Sequence, residues 1–182
     1  VPTILQTLGA EIPGHRVECV VGGGGQAYWV CPLDEESEKG DAAAAEERAR
    51  LLRRRLGEDN VGLVHGRMKG PEKDAVMGRF ASGDLAVLVA TTVIEVGVDV
   101  LNSTLMIVEG GERFGLAQLH QLRGRVGRGS GKSTCLLIRG QQLSETGRAR
   151  LALMRETTDG FRIAEEDLRL RGAGEILRTR QS

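Results

Sequence analysis

The chain has 182 residues, 40% of them hydrophobic, and its 25 basic residues balance 25 acidic residues. That is enough apolar sequence for one sizeable core, and the zero formal charge means that any nucleic-acid site must be local rather than spread over the molecule. The three cysteines are widely spaced and form no CxxC pair, which excludes a disulfide framework and a zinc site.

The composition also bears on where the protein works. No stretch is long and apolar enough for a membrane span, and the chain has no signal peptide, so we expect an intracellular protein with reduced thiols and no metal site. Because the chain begins with Val1 rather than Met and stops abruptly after Ser182, we expect an excised fragment of a longer protein.

The first third of the chain alternates between apolar runs and amphipathic stretches. Residues 1–25 fit no pattern, and their glycine run predicts a poorly defined lead-in. Residues 26–31 predict a buried strand, and the spacing of Ala and Leu predicts a helix over 42–56, which Gly57 ends. A second strand is predicted at 61–65.

The same alternation continues to the end of the chain. Strands are predicted at 85–91, 104–110 and 133–139, and helices at 71–81, 118–128, 144–155 and 161–169. Strands that alternate with helices indicate an α/β domain with a largely parallel sheet. Ligands of such sheets bind at the carboxyl ends of the strands, so the loops after 61–65 and 85–91 are candidate sites.

The predicted helix 118–128 carries a basic face. Gln121, Arg125 and Arg128 share one narrow wedge, whereas Leu119 and its neighbours at helical spacing would pack inward. Planar, permanently charged guanidinium groups suit phosphate oxygens. A solvated basic face is the alternative, but no acidic residue occurs from Arg113 to Ser144, and an ordinary surface helix mixes its signs.

The segment 127–134, GRGSGKST, is similar to a phosphate-binding P-loop. A true P-loop here would indicate a kinase that binds nucleotide through Lys132. The pattern requires glycine where Val126 stands, and the segment follows a predicted helix and opens a strand, the reverse of a P-loop. A flexible turn is the better interpretation. No Asp-Glu pair follows an apolar strand either, so the isolated chain should not hydrolyse ATP.

Two strand ends carry candidate phosphate ligands. Thr91 and Thr92 follow a buried strand and could present hydroxyl and N–H groups to a nucleic-acid backbone, although capping a turn is an equally simple role. His65, Gly66 and Arg67 follow the strand at 61–65, where His65 alone would more often be structural.

These segments resemble the superfamily 2 helicases. Q-x-x-G-R-x-G-R at 121–128 resembles their motif VI, and ATTVIEVGVDV at 90–100 resembles motif V. The resemblance implies a RecA-like second motor domain, in which Arg125 and Arg128 reach the γ-phosphate of ATP and Gln121 orients them. It also implies that Gly97 and Asp99 contact the nucleotide. The implied contacts with nucleic acid come from His65, Gly66, Arg67, Thr91 and Thr92.

The end of the chain narrows the resemblance to RecG-type DNA helicases. Residues 159–182 resemble the helical-hairpin motif that follows motif VI there and couples ATP-driven closure to movement of duplex DNA. That family usually has Pro at Ala173, Phe at Ile176 and Gly at Arg178. The coupling residues would be Glu166, Arg169, Arg171, Arg180 and Gln181. The resemblance therefore divides the chain into the lead-in, a RecA-like domain at 26–143 and a hairpin region at 144–182.

The resemblance implies an ATP-dependent helicase that remodels forks and Holliday junctions in the bacterial cytoplasm, in association with the nucleoid. ATP and Mg²⁺ would be held mainly by a first motor domain outside this chain. The partners would be branched or duplex DNA, that first motor domain and a wedge domain of the same polypeptide, with no membrane. The alternatives are the motor of transcription-repair coupling factor and a DNA-binding or scaffolding domain without ATP chemistry.

Overall fold

A computed structural model describes residues 3–8, 11–33, 38–91 and 100–179. Its strands are β1 (Thr3–Leu8), β2 (Gln26–Cys31), β3 (Val61–Val64), β4 (Val87–Thr91), β5 (Ser103–Glu109) and β6 (Thr134–Arg139). Its helices are α1 (Glu11–Gly22), α2 (Glu38–Leu56), α3 (Gly70–Ala81), α4 (Leu116–Arg123), α5 (Glu145–Glu156) and α6 (Gly160–Thr179).

The strands form one parallel sheet in the order β1-β6-β5-β2-β4-β3. Every residue of β2 and β4 is buried, because helices cover both faces. Tyr28 belongs to the core beneath α3, α4 and α5, whereas Trp29, the next residue, belongs to the core beneath α1 and α2. The predicted α/β class with a RecA-like parallel sheet is confirmed.

Local signals explain where several elements begin and end. Pro71 lies in the first turn of α3, where its missing N–H needs no partner, and the Glu72 carboxylate accepts the N–H of Lys69 at 3.2 Å. Gly57 follows α2 with a φ of 97°, a conformation that favours glycine. These signals are local in the sequence, and the predicted helices here match the observed ones to within a few residues.

The lead-in contains two elements that the sequence did not predict. β1 pairs with β6 from Thr3 opposite Thr134 to Leu8 opposite Arg139, and α1 packs on β2 and β5. Pro13 and Gly14 lie in the first turn of α1 and are both poor helix formers, so the local sequence gives little indication of a helix there. Packing supplies the missing stability, since Val17 on its inner face is fully buried.

Two helices that carry predicted site residues differ in the structure from what the sequence predicted. The predicted helix 118–128 is wrong in its second half, because α4 ends at Arg123. Residues 160–179 are not a hairpin by themselves, because α6 is continuous from Gly160 to Thr179 and the helical pair is formed by α5 and α6. Ala173 and Arg178, which replace the family's Pro and Gly, are good helix formers, which accounts for the continuity.

Candidate nucleotide and nucleic-acid sites

Arg125 and Arg128 lie on a turn rather than on a helix. Gly124 caps α4 and donates its N–H to His120 O at 3.1 Å, after which the N–H of Arg125 bonds to Leu122 O in a tighter turn. Gln121 remains on α4 and is exposed, Arg125 is half-buried and Arg128 is exposed. Gln121, Arg125 and Arg128 therefore do not share one helix face as predicted. The helix ends after Gln121, and both arginines lie on the turn that follows Gly124.

This turn is held tightly against the start of β5. Gly127 has a φ of 79° and donates its N–H to Ser103 O at 3.2 Å. A Cβ on Gly129 would lie 2.8 Å from Leu101 O, so only glycine fits there without movement. Val126 is 3% exposed and anchors the turn in the core between the two arginines. We call residues 124–129 the arginine turn.

The arginine turn lies at the edge where the strands begin, which we call the amino edge. The sequence placed candidate ligands at the opposite, carboxyl edge, where the strands end. The arginines lie at the amino edge because α4 runs back along the sheet, from Gly115 after β5 to Gly127 beside its first residue. Arg128 donates from Nε to Gly124 O at 3.2 Å, which orients its guanidinium group.

A third arginine of the same motif has an internal role that the sequence did not reveal. Arg123 is 3% exposed and donates from Nη1 to the carbonyls of Met154 and Thr157, at 3.0 and 2.8 Å. Its Nη2 lies 2.8 Å from His120 Nδ1. Because it bonds carbonyls at the end of α5, Arg123 joins α4 to α5, and its burial lowers the pKa of the guanidinium group.

His120 should make this joint sensitive to pH. Its pKa is lowered from the ordinary value of 6.5, first by burial and then by the charge of Arg123. A lowered pKa means that the unfolded chain binds the proton more readily, so stability is complete above about pH 6.5 and is lost as pH falls through the folded-state pKa. We expect the unfolding free energy to fall more between pH 7.5 and 5.5 in the wild type than in His120→Gln. Equal losses would contradict this role.

The carboxyl edge holds most of the predicted nucleic-acid ligands that the structure describes. Val64 pairs with Ala90, so His65 and Thr91 follow side by side. Thr91 is the last residue of β4 and only 1% exposed, so its side chain is buried at this edge, and its contact with nucleic acid stays a prediction. Within the described residues, His65 Nδ1 and Thr91 Oγ1 are buried without a hydrogen-bond partner, and His65 Nε2 lies 3.6 Å from Glu46 Oε1.

A basic cluster surrounds the turn after β3. Gly66 and Arg67 are exposed there, and Lys73 Nζ donates to Gly66 O at 3.3 Å. Lys69 is also exposed, so three cations lie within one turn and the first turn of α3. The sequence interpretation named only Arg67. The missed signal was the density of basic residues directly after a strand end, in Arg67, Lys69 and Lys73.

The described part of the coupling region packs along α4. Arg169 donates from Nε and Nη2 to Glu166 Oε2, both at 2.8 Å, and Arg171 pairs with Asp167 at 2.7 Å. A Cβ on Gly115 would lie 3.9 Å from Arg171 Nη2, which places Arg171 beside the start of α4. The predicted Arg180 and Gln181 lie outside the described residues, as do Thr92, Gly97 and Asp99.

The segment 127–134 connects α4 to β6, so it lacks the strand-loop-helix context of a P-loop. In the described parts of the chain, no group of three His, Cys, Asp or Glu residues could hold a metal ion. None of the helices within those same ranges is both long enough and apolar enough to cross a bilayer.

Known proteins resemble this chain in both sequence and structure. Residues 17–130 match the family model of the helicase conserved C-terminal domain. The chain is 60% identical over 159 residues to the ATP-dependent DNA helicase RecG of Escherichia coli K12, covering 87% of this chain and 23% of that protein. It is 56% identical over 167 residues to RecG of Acidithiobacillus ferridurans, covering 92% of this chain and 24% of that protein.

A solved structure of RecG bound to a three-way DNA junction superimposes with a TM-score of 0.80 at 43% sequence identity. The match covers 96% of this chain and 23% of that one. The chain thus spans about a quarter of the length of the relatives that it matches.

Proposed function

The chain belongs to the helicase conserved C-terminal domain family, and from that premise we propose that it is the second motor domain of a RecG-type, ATP-dependent DNA helicase. The full-length protein would remodel branched DNA, such as forks and Holliday junctions, in recombination and repair in the bacterial cytoplasm. Its first motor domain would hold ATP and Mg²⁺, so the isolated chain would be inactive, and a wedge domain of the same polypeptide would meet the junction.

The observation that carries this proposal is the division of charged groups between the two edges of the sheet. The arginine turn lies at the amino edge, and the basic cluster of Arg67, Lys69 and Lys73 lies at the carboxyl edge. One domain can therefore meet a nucleotide at one edge and a DNA backbone at the other. A single-purpose DNA-binding domain has no need of guanidinium groups fixed at the edge that faces away from its DNA.

On the nucleotide side, Arg125 and Arg128 would cross a cleft to the γ-phosphate, with Gln121 orienting them. Their positive charge would stabilise the negative charge that develops on the transferred phosphoryl group. The arginine turn suits this role because Val126 and Gly127 fix its backbone. Gly97 and Asp99 would complete the contacts to the phosphate and ribose.

On the DNA side, the basic cluster would bind backbone phosphates, together with His65, Gly66, Thr91 and Thr92. Two buried atoms, His65 Nδ1 and Thr91 Oγ1, have no hydrogen-bond partner among the described residues, and we expect a further hydrogen-bonding group at this edge. Movement of the closing motor domains would be transmitted to α5 and α6 through Arg123. Five residues of the coupling region would then take part in moving the duplex, namely Glu166, Arg169, Arg171, Arg180 and Gln181.

The relatives reported above are all RecG proteins, which favours the RecG-type assignment over the motor of transcription-repair coupling factor. The scaffold alternative predicts that ATP hydrolysis by the full-length protein is independent of the arginine turn. The kinase alternative loses its basis because Lys132 precedes a strand rather than a helix.

The DNA side is tested by the salt dependence of binding to a three-way junction. Each lost phosphate contact should reduce the slope of log affinity against log salt concentration by about 0.9. We therefore expect Arg67→Ala and Lys73→Ala in the full-length protein to weaken binding at all sequences and to flatten this slope. Arg79→Ala is the matched control, because Arg79 is exposed in the last turn of α3, at the opposite end of the helix. Unchanged slopes in both test variants would remove the DNA contact from this edge.

A further inference from the structure

A groove of about 650 Å³ opens between α1 and the beginnings of β5 and β6. Val20 and Leu105 supply apolar surface, and Cys19 lies beside them on α1. His15, Arg16 and Lys132 line the groove with basic groups. Nothing in the nucleotide or DNA roles proposed above uses this groove.

The groove is lined by basic groups, and the salt bridges of the described residues do not balance all of them. In the ranges that the structure describes, neither Arg16 nor Lys132 has a carboxylate partner. The nearby carboxylate of Glu18 lies 3.8 Å from both Arg55 Nη1 and His15 Nδ1, so it is already shared. A ligand with negative charge would therefore complete the groove.

The groove continues from the arginine turn. Gly129 lies against Leu101, and a Cβ on Gly131 would be 3.8 Å from Thr104 Cγ2, so residues 129–132 follow the amino edge directly from the turn into the groove. Any domain that presents ATP to Arg125 and Arg128 must approach this edge. The same domain would then lie next to the groove.

We propose that this groove docks an acidic, partly apolar segment of the first motor domain when the two motor domains close around ATP. The inference rests on the function proposed above and extends it with an interaction surface. The described lining offers aliphatic side chains and separate cations but no Phe, Tyr or Trp ring on which a nucleotide base could stack, which favours a polypeptide segment. Carboxylates of that segment would pair with Arg16 and Lys132.

Cys19 provides a reporter at the wall of the groove. Cys19 is exposed, whereas Cys31 and Cys135 are buried, and burial raises the pKa of both buried thiols to about 12. A maleimide should therefore label only Cys19 in this part of the protein, because the thiolate is the reactive form. The experiment measures its alkylation rate in the full-length protein by peptide mass spectrometry, with and without a non-hydrolysable ATP analogue and junction DNA.

We expect the analogue and DNA together to slow alkylation of Cys19 at least fivefold. For each variant, the alkylation rate of Cys19 without the analogue and DNA is divided by the rate with both. Arg16→Glu and Lys132→Glu should bring this ratio near one. Any effect of the new charge on the thiol itself cancels in the ratio. Both variants should also raise the KM for ATP. The control Arg79→Glu lies on α3 beside β3, on the other side of the sheet, and should keep the wild-type ratio.

The outcomes separate this inference from the proposed function. If Arg128→Ala abolishes ATP hydrolysis but the wild-type rate ratio is one, the groove is not a docking site and the motor assignment stands. If hydrolysis is unaffected by both Arg125→Ala and Arg128→Ala, the motor assignment itself fails. Protection by the analogue that persists in Arg128→Ala without DNA would show that nucleotide occupies the groove, and would overturn the proposal of a docked segment.

Discussion

Replacing Arg128 with alanine in the full-length protein is expected to lower kcat for DNA-stimulated ATP hydrolysis by about 10³-fold or more, the range found for arginine fingers. This corresponds to about 4 kcal/mol of lost transition-state stabilisation. The side chain is exposed on a turn whose backbone is hydrogen-bonded to the start of β5. Arg125→Ala should act in the same direction. Steady-state hydrolysis at saturating junction DNA measures both effects.

A conservative variant and a control make the result specific. Arg128→Lys keeps the charge but loses the planar fork, so it should restore only part of the rate. Arg79→Ala, which removes an exposed arginine from the last turn of α3, should hydrolyse ATP as the wild type does. Binding of junction DNA by Arg128→Ala should be nearly normal at low salt. A wild-type kcat in both Arg125→Ala and Arg128→Ala would leave only the scaffold alternative.

Arg123→Met is expected to destabilise the fold by about 3 kcal/mol, because it leaves buried carbonyls at the end of α5 without their charged donor. The methionine fills much of the space, so the loss is mainly of the hydrogen bonds to Met154 O, Thr157 O and His120 Nδ1. Urea unfolding of the 182-residue chain measures the effect. Trp29, the only tryptophan and 1% exposed, reports unfolding by its fluorescence.

Arg128→Ala serves as the control for this prediction, since removal of an exposed side chain usually changes stability by less than about 0.5 kcal/mol. The two arginines should then show opposite phenotypes, with stability lost in one variant and catalysis lost in the other. Equal unfolding free energies for Arg123→Met and the wild type would show that the bonds to α5 contribute nothing. The full-length Arg123→Met enzyme should also couple hydrolysis poorly to unwinding.

The sequence was most informative where structure depends on near neighbours. The apolar runs at 26–31 and 85–91 identified fully buried strands, and Pro71 and Gly57 marked helix boundaries. It was least informative at residues 1–25, where a weak helix pattern gave no signal. β1 and α1 exist because β6 and the core beneath α1 stabilise them, and a local pattern cannot show such partners.

The basic segment after β5 shows most clearly the difference between what the local sequence predicts and what distant contacts decide. From the sequence, its fork-shaped cations, its lack of acidic residues and its resemblance to motif VI indicated a phosphate site, because these are properties of residue type and order. Residue type could not decide which arginine serves which role. The end of α4 at Arg123 turns one guanidinium group into the core and leaves Arg128 exposed at the amino edge.

The sequence by itself thus determined the α/β class, the order of the elements from β2 onward and the chemical character of both candidate sites, since these follow from periodicity and side-chain chemistry. Only the tertiary structure decided the strand order, the placement of the arginine turn and the basic cluster at opposite edges, and the groove beside α1. Those features depend on contacts between residues far apart in the chain. Such contacts are selected by burial and pairing across the whole sheet rather than by any local pattern.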